Sequence, residues 1–154
     1  MEMSIIRADV SDIETVKYIT TETINSIYPH YYPEGAVDFF LGHHNDKNIE
    51  NDIRVGIVYL CFDNENNAVG TVTVKENEIC RLFVLPEYQG NGYGKELISF
   101  AENKISEKYN EIILHASLPA KAIYLKKGYK ELEFHSIKTE NGDYLCYDMM
   151  IKQI

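Results

Sequence analysis

Apolar positions along the chain recur with two periods, and the changes of period mark its elements. Residues 3–7 read as a short strand, and Ser11 followed by Glu14 supplies a capping-box pattern that opens a helix. Apolar Ile13, Val16, Ile19, Ile24 and Ile27 carry that helix to a break at Tyr28-Pro29. A second helix is predicted from Pro33-Glu34, where proline suits the first turn, through Val37, Phe40 and Leu41 toward His43. Residues 46–52 add a further helical turn. The run from 54 to 63 is strand-like, and the cluster Asn64-Glu-Asn-Asn67 turns it into residues 68–75, where Val69, Thr71 and Thr73 alternate. These two runs predict an antiparallel hairpin. A third run, 78–85, ends at Pro86, which cannot donate to a sheet ladder.

Beyond Pro86 the helical period returns. Over residues 92–108, Leu97, Ile98, Ala101 and Ile105 share one face, with Glu and Lys opposite. Residues 111–116 read as a strand and 120–127 as a short helix closed by a left-handed Gly128. Residues 129–137 and 144–151 pair as strands across a Lys-Thr-Glu-Asn-Gly-Asp turn. The predicted order is β-α-α-β-β-β-α-β-α-β-β, with no repeat, linker or low-complexity tract. It describes one mixed α/β domain over residues 1–154, a mostly antiparallel sheet flanked by helices.

Composition narrows the class. A chain of 154 residues buries about 70% of its unfolded surface and needs no staple. Cys61, Cys80 and Cys146 are odd in number and far apart, which predicts reduced thiols and a cytoplasmic location. The first residues lack a basic start followed by a long apolar stretch, and no segment approaches the roughly 18 apolar residues of a spanning helix. A soluble protein without a membrane partner is expected. Net charge −9 argues against nucleic acid as a partner, since such binding draws on basic side chains. It favours a cationic partner, although acidity also serves solubility.

Residues 82–95, Leu-Phe-Val-Leu-Pro-Glu-Tyr-Gln-Gly-Asn-Gly-Tyr-Gly-Lys, join a strand to a glycine-rich turn and a helix start. Unpaired N–H groups at a helix start, with the positive end of its dipole, attract a phosphate, and glycines let it approach the main chain. A nucleotide P-loop would need Ser or Thr after Gly94-Lys95, where Glu96 stands. A dinucleotide fold would place its glycines in the first strand-helix unit, whereas here three meander strands come first.

The segment Gln89-Gly-Asn-Gly92-Tyr-Gly94 resembles the Arg/Gln-x-x-Gly-x-Gly/Ala signature of the GCN5-related N-acetyltransferase superfamily. A second block, residues 115–129, resembles that family's Asn-x-x-Ala-x-x-x-Tyr-x-x-x-Gly-Phe/Tyr pattern at Ala120, Tyr124, Gly128 and Tyr129. Ser117 replaces the usual asparagine. The resemblance implies the family's fold and acetyl-CoA as cosubstrate. Gly90, Asn91, Gly92, Tyr93 and Gly94 would hold the pyrophosphate, with Gln89 and Lys95 flanking it. The backbone of Leu82, Phe83 and Val84 would pair with the pantetheine arm, and Ser117 and Ala120 would lie beside it.

Acetyl transfer to an amine needs a neutral nucleophile, yet an alkylamine titrates near 10. By resemblance to the histone-acetylating branch, Glu78 is the general base. On a regular strand it would share a face with Cys80, Leu82 and Val84, the alternative being an exposed charge at a strand start. Tyr124 is the implied proton donor to the departing thiolate, or else a core aromatic. Tyr28, His30, Tyr31 and Tyr32 fall where the family often walls its acceptor pocket, and ordinary packing is their alternative. Carboxylates such as Glu34 and Asp38 would suit a cationic amine. Adjacent His43 and His44 face about 100° apart on a helix, so no metal is predicted. The reading is an N-acetyltransferase working by direct transfer, with a small-molecule amine as acceptor. A protein lysine or N-terminus is the second choice for acceptor, and an acyl-CoA sensor or a bare interaction module is the rival class. A homodimer stays open.

Overall fold

The computed structural model describes residues 2–154. Seven strands form one sheet in the order β1-β2-β3-β4-β5-β7-β6. They are β1 (Met3–Arg7), β2 (Val58–Asp63), β3 (Ala68–Lys75), β4 (Glu78–Val84), β5 (Glu111–Ala116), β6 (Lys130–Lys138) and β7 (Tyr144–Gln153). Every neighbouring pair is antiparallel except β4 with β5. The helices are α1 (Ile13–Ile27), α2 (Glu34–His43), α3 (Asp46–Arg54), α4 (Tyr93–Ser106) and α5 (Leu118–Lys126).

Apolar periodicity accounts for the two cores. On one face of the sheet, Leu97, Ile98, Ala101 and Ile105 of α4 pack on Val72, Ile79, Ile112, Leu114 and Met150. On the other, α1, α2 and α3 bury Val16, Ile19, Ala36, Val37, Ile49 and Ile53 against Leu60, Phe83, Leu85 and Leu145. All these side chains are buried, which at roughly 25 cal/mol per Å² of apolar surface is the main force holding the layers together.

Several boundaries differ from expectation. The capping box is formed by Asp9 and Asp12, not by Ser11 and Glu14, and it opens a short 3₁₀ turn that feeds α1. The Asp9 side chain accepts from Ser11 N–H at 2.9 Å, and Asp12 accepts from Asp9 N–H at 3.0 Å. The helical turn over residues 46–52 is a full helix reaching Arg54, capped by Asn45, so β2 starts at Val58 rather than at residue 54. Leu118 rather than residue 120 opens α5, with Pro119 in its first turn.

Candidate active site

β4 and β5 pair at only two positions, Glu78 opposite Ile113 and Ile79 opposite Leu114, and then part. The edge of β4 that this leaves open can be identified. Leu85 N–H donates to Val69 O on β3 at 2.9 Å, and main-chain groups alternate sides along a strand, so those of Leu82 and Val84 face the gap. Below the gap, Gly90 and Gly92 hold φ of +80° and +92°, a region that residues with a Cβ avoid. Gly92 is the N-cap of α4, and Glu96 N–H donates to its carbonyl at 3.1 Å. The N–H groups of Tyr93, Gly94 and Lys95 thus precede the intrahelical ladder and are free to meet an anion. Asn91 Nδ2 donates to Tyr88 O at 3.0 Å and braces the turn.

A slot of about 300 Å³ runs from this turn past Leu82, Phe83 and Val84 to Tyr28, Ser117 and Ala120. Of the expected phosphate and pantetheine residues, Gln89, Gly90, Gly92, Tyr93, Gly94 and Lys95 also border it, and Lys95 is its one charged side chain. The Gln89 amide is engaged inward, donating to Val84 O at 2.9 Å. The Phe83 ring turns the other way, toward Tyr28 at 6.3 Å and His44 at 5.5 Å.

A second cleft, of about 700 Å³, opens between α2, α3 and the strands β4 to β7, and Ser117 lines both spaces. Glu78 lies in this second cleft. It does not share a face with Leu82 and Val84, as alternation predicted, because β4 carries a bulge: Thr73 faces Arg81 and Val74 faces Ile79, leaving Cys80 unmatched. One inserted residue reverses the parity of every side chain before it. Glu78 and Cys80 line the cleft, while Leu82 packs with Ile79 and Val84 on the α4 side. The Cys80 thiol donates to Glu78 Oε2 at 3.4 Å, and His115 Nδ1 lies 3.7 Å from the same oxygen. Burial, then the Glu78 charge, pushes the Cys80 thiol up to about 12, so it is a thiol and not a nucleophilic thiolate at neutral pH.

The cleft floor holds a buried cation. Arg81 Nη2 meets Asp52 Oδ2 at 3.1 Å, Nη1 donates to Thr73 Oγ1 at 2.9 Å, and Nε donates to His44 Nδ1 at 3.4 Å. Burial, then the Arg81 charge, lowers His44 to about 3. His44 is therefore neutral, and because its Nδ1 accepts, its proton sits on Nε2. None of Arg81, Asp52, His44, His115 or Tyr147 stood out in the sequence as cleft-lining. Their signal lay in the strand pairing and the bulge, which a linear reading does not carry.

Tyr124 packs in the core against Tyr129, rings 5.5 Å apart at 71°, and burial raises its phenol above the ordinary value. Its hydroxyl donates to no protein group among the described residues. Among the described residues the single fully buried side-chain polar atom without a partner is Thr20 Oγ1, so the Tyr124 oxygen keeps some contact with open space, although Tyr124 lines neither the slot nor the cleft. The four aromatic candidates between α1 and α2 are not brought together. Tyr28 borders the slot, and Tyr32 donates to Cys146 O at 3.0 Å while accepting Leu118 N–H at 2.7 Å. His30 and Tyr31 are exposed and line neither space. The 3₁₀ turn at Tyr28 and Pro29 brings Tyr28 and Tyr32 together in the core, rings 5.7 Å apart, and leaves His30 and Tyr31 outside. Glu34 and Asp38 are exposed on α2 and also stand outside the cleft, whose α2 wall is Phe39, Phe40, His43 and His44. Among the described residues no group of three His, Cys, Asp or Glu side chains could hold a metal ion, and no helix is long and apolar enough to cross a membrane.

Residues 27–150 match the family model described as an acetyltransferase (GNAT) domain. A GCN5-related N-acetyltransferase from Rhodopseudomonas palustris is similar at 20% identity and TM-score 0.87, over 100% of this chain and 99% of that one. The PaiA N-acetyltransferase from Thermoplasma acidophilum, solved in complex with coenzyme A, is similar at 21% identity and TM-score 0.75, with both chains fully covered. Arabidopsis thaliana Naa50, solved with the bisubstrate analogue CoA-Ac-MVNAL, is similar at 22% identity and TM-score 0.70, again over 100% of each chain. No curated protein matches the chain.

Proposed function

The chain belongs to the GNAT acetyltransferase family, and from that membership we propose that it moves an acetyl group from acetyl-CoA to a primary amine by direct transfer. The observation that carries this reading is the junction at Ser117, where the glycine-turn slot meets the cleft holding Glu78. The slot fits coenzyme A on its own features. Its glycines leave the turn open, a Cβ at Gly90 meeting nothing within 4 Å, and the main chain of Leu82 with the N–H of Val84 is offered to an extended arm, the Val84 carbonyl being taken by Gln89. Coenzyme A in the PaiA and Naa50 structures agrees with this use. The acceptor is a small amine, supported by a concave cleft of about 700 Å³. Three free thiols support a reducing, cytoplasmic setting.

Acetyl-CoA supplies the acyl group as a thioester, so a C–N bond forms as the C–S bond breaks. An alkylammonium titrates near 10 and carries no lone pair, so it must give up one proton before nitrogen can attack the thioester carbon. Glu78 takes that proton, directly or through one water, and returns it to solvent at the cleft mouth. The main-chain N–H groups of Leu82 and Val84 present fixed dipoles where charge grows on the carbonyl oxygen. Tyr124 acts at the sulfur. Because burial raises its phenol above a thiol's ordinary pKa of about 8.5, complete transfer would be uphill, and its main contribution is a hydrogen bond to the departing thiolate. Ser117 orients the substrates from the N-cap of α5.

The test is coenzyme A release over an amine panel beside calorimetric titration with acetyl-CoA. Turnover with at least one amine, and about a tenfold lower kcat for Tyr124→Phe, is expected. Binding without turnover would make the protein an acyl-CoA sensor, and absence of binding would reduce it to an interaction module.

A further inference from the structure

The cleft that holds Glu78 is walled by rings. On α2, the Phe39 and His43 rings lie nearly parallel, 7° and 6.4 Å apart, and Phe39 is 41% exposed. On the opposite strands, Tyr147 stacks on His135 at 5.0 Å and 15°, and His115 meets the Tyr147 ring edge-on at 5.5 Å. A large aromatic left open inside a concave site, with further rings across from it, is the lining that holds a flat apolar group.

Charge in the same cleft is nearly balanced. Asp52 is engaged by Arg81 at 3.1 Å, and Lys75 and Glu76 sit at the rim with opposite charges. Deeper in the cleft, beside the His115 ring, Glu78 is met by no lysine or arginine among the described residues. It can hold one ammonium. A second cation held inside the cleft would find there no further unpaired carboxylate to offset its desolvation, Glu76 standing at the rim.

Building on the acetyltransferase reading, we infer that the acceptor is a monocationic amine bearing an aromatic ring, an arylalkylamine, held between Phe39 and Tyr147 with its nitrogen at Glu78. The ring positions the amine, and Phe39 and Tyr147 set specificity without touching the reacting atoms.

Initial rates with acetyl-CoA at about pH 8, where ordinary imidazoles are neutral, are compared for phenethylamine, n-butylamine, spermidine and a short peptide with a free N-terminus. Wild type should show kcat/KM for phenethylamine about tenfold above the other three, and Phe39→Leu or Tyr147→Leu should cut the phenethylamine-to-butylamine ratio about three- to tenfold, mainly through KM. Preference for spermidine or the peptide, or a ratio unmoved by both variants, would overturn the inference while leaving acetyl transfer intact. Failure of every amine to turn over would overturn both.

Discussion

The slot and the cleft meet at Ser117 but are built of different material. The slot is mainly backbone: two glycines with positive φ, the first N–H groups of α4, and the open edge of one strand. The cleft is mainly side chain, assembled from α2, α3 and β4 to β7, with its charges held in place by one another. A backbone site is sensitive to conformation and indifferent to most side chains, so it suits a ligand recognised by phosphate and amide groups. A side-chain site depends on long-range packing and can be retuned residue by residue.

The sharpest way to break this division is at Glu78. Replacing it with Gln should lower kcat about a thousandfold, measured by coenzyme A release, while calorimetry finds acetyl-CoA affinity changed less than about twofold. If affinity falls in step with turnover, the two spaces are not separate. Arg81→Met tests how the cleft is held. It leaves Asp52 half-buried without its partner, and urea unfolding should show a loss of about 3 kcal/mol. The double variant with Asp52→Asn should recover part of that, and a loss below about 0.5 kcal/mol for Arg81→Met would place the pair among surface bridges of little weight.

Gly92→Ala probes the slot. A Cβ at a left-handed position costs about 1–2 kcal/mol, so acetyl-CoA should bind about tenfold more weakly by calorimetry, with kcat at saturation nearly kept. A shift in preference among amines would blur the comparison. The smallest effect concerns acid. His44 is held near 3 in the folded protein against about 6.5 unfolded. Between those values the unfolded chain binds more protons, so stability rises with pH through the window and is level above it. Acidification from about pH 6.5 to 5 should cost about 1 kcal/mol, less than full linkage because the ring keeps some solvent contact. In urea titrations His44→Gln should flatten that slope, and an unchanged slope would assign it to other groups.

Contiguity separates what was legible from what was not. Residues 89–94 announce an anion cradle because turn, glycines and helix start are neighbours in the chain, and the structure keeps them so. β3 and β5 were readable to the residue: β5 alternates in burial as its apolar positions do, and β3, buried on both faces from Val69 to Thr73, is bounded by the turns at either end. Glu78 was legible as a candidate but not in its direction, because the bulge at Cys80 arises from pairing with β3. The aromatic cluster was legible only as a group: its four rings, close in sequence, are divided between core and solvent around one 3₁₀ turn.

The amino-acid order by itself determined the elements, the cradle and the family likeness, all consequences of interactions among residues a few positions apart. Tertiary structure alone decided which wall Glu78 faces and what surrounds it. Arg81 meets Asp52 across 29 positions and His44 across 37. Contacts of that span depend on how helices dock on the sheet, a free-energy balance over the whole chain rather than over any local window.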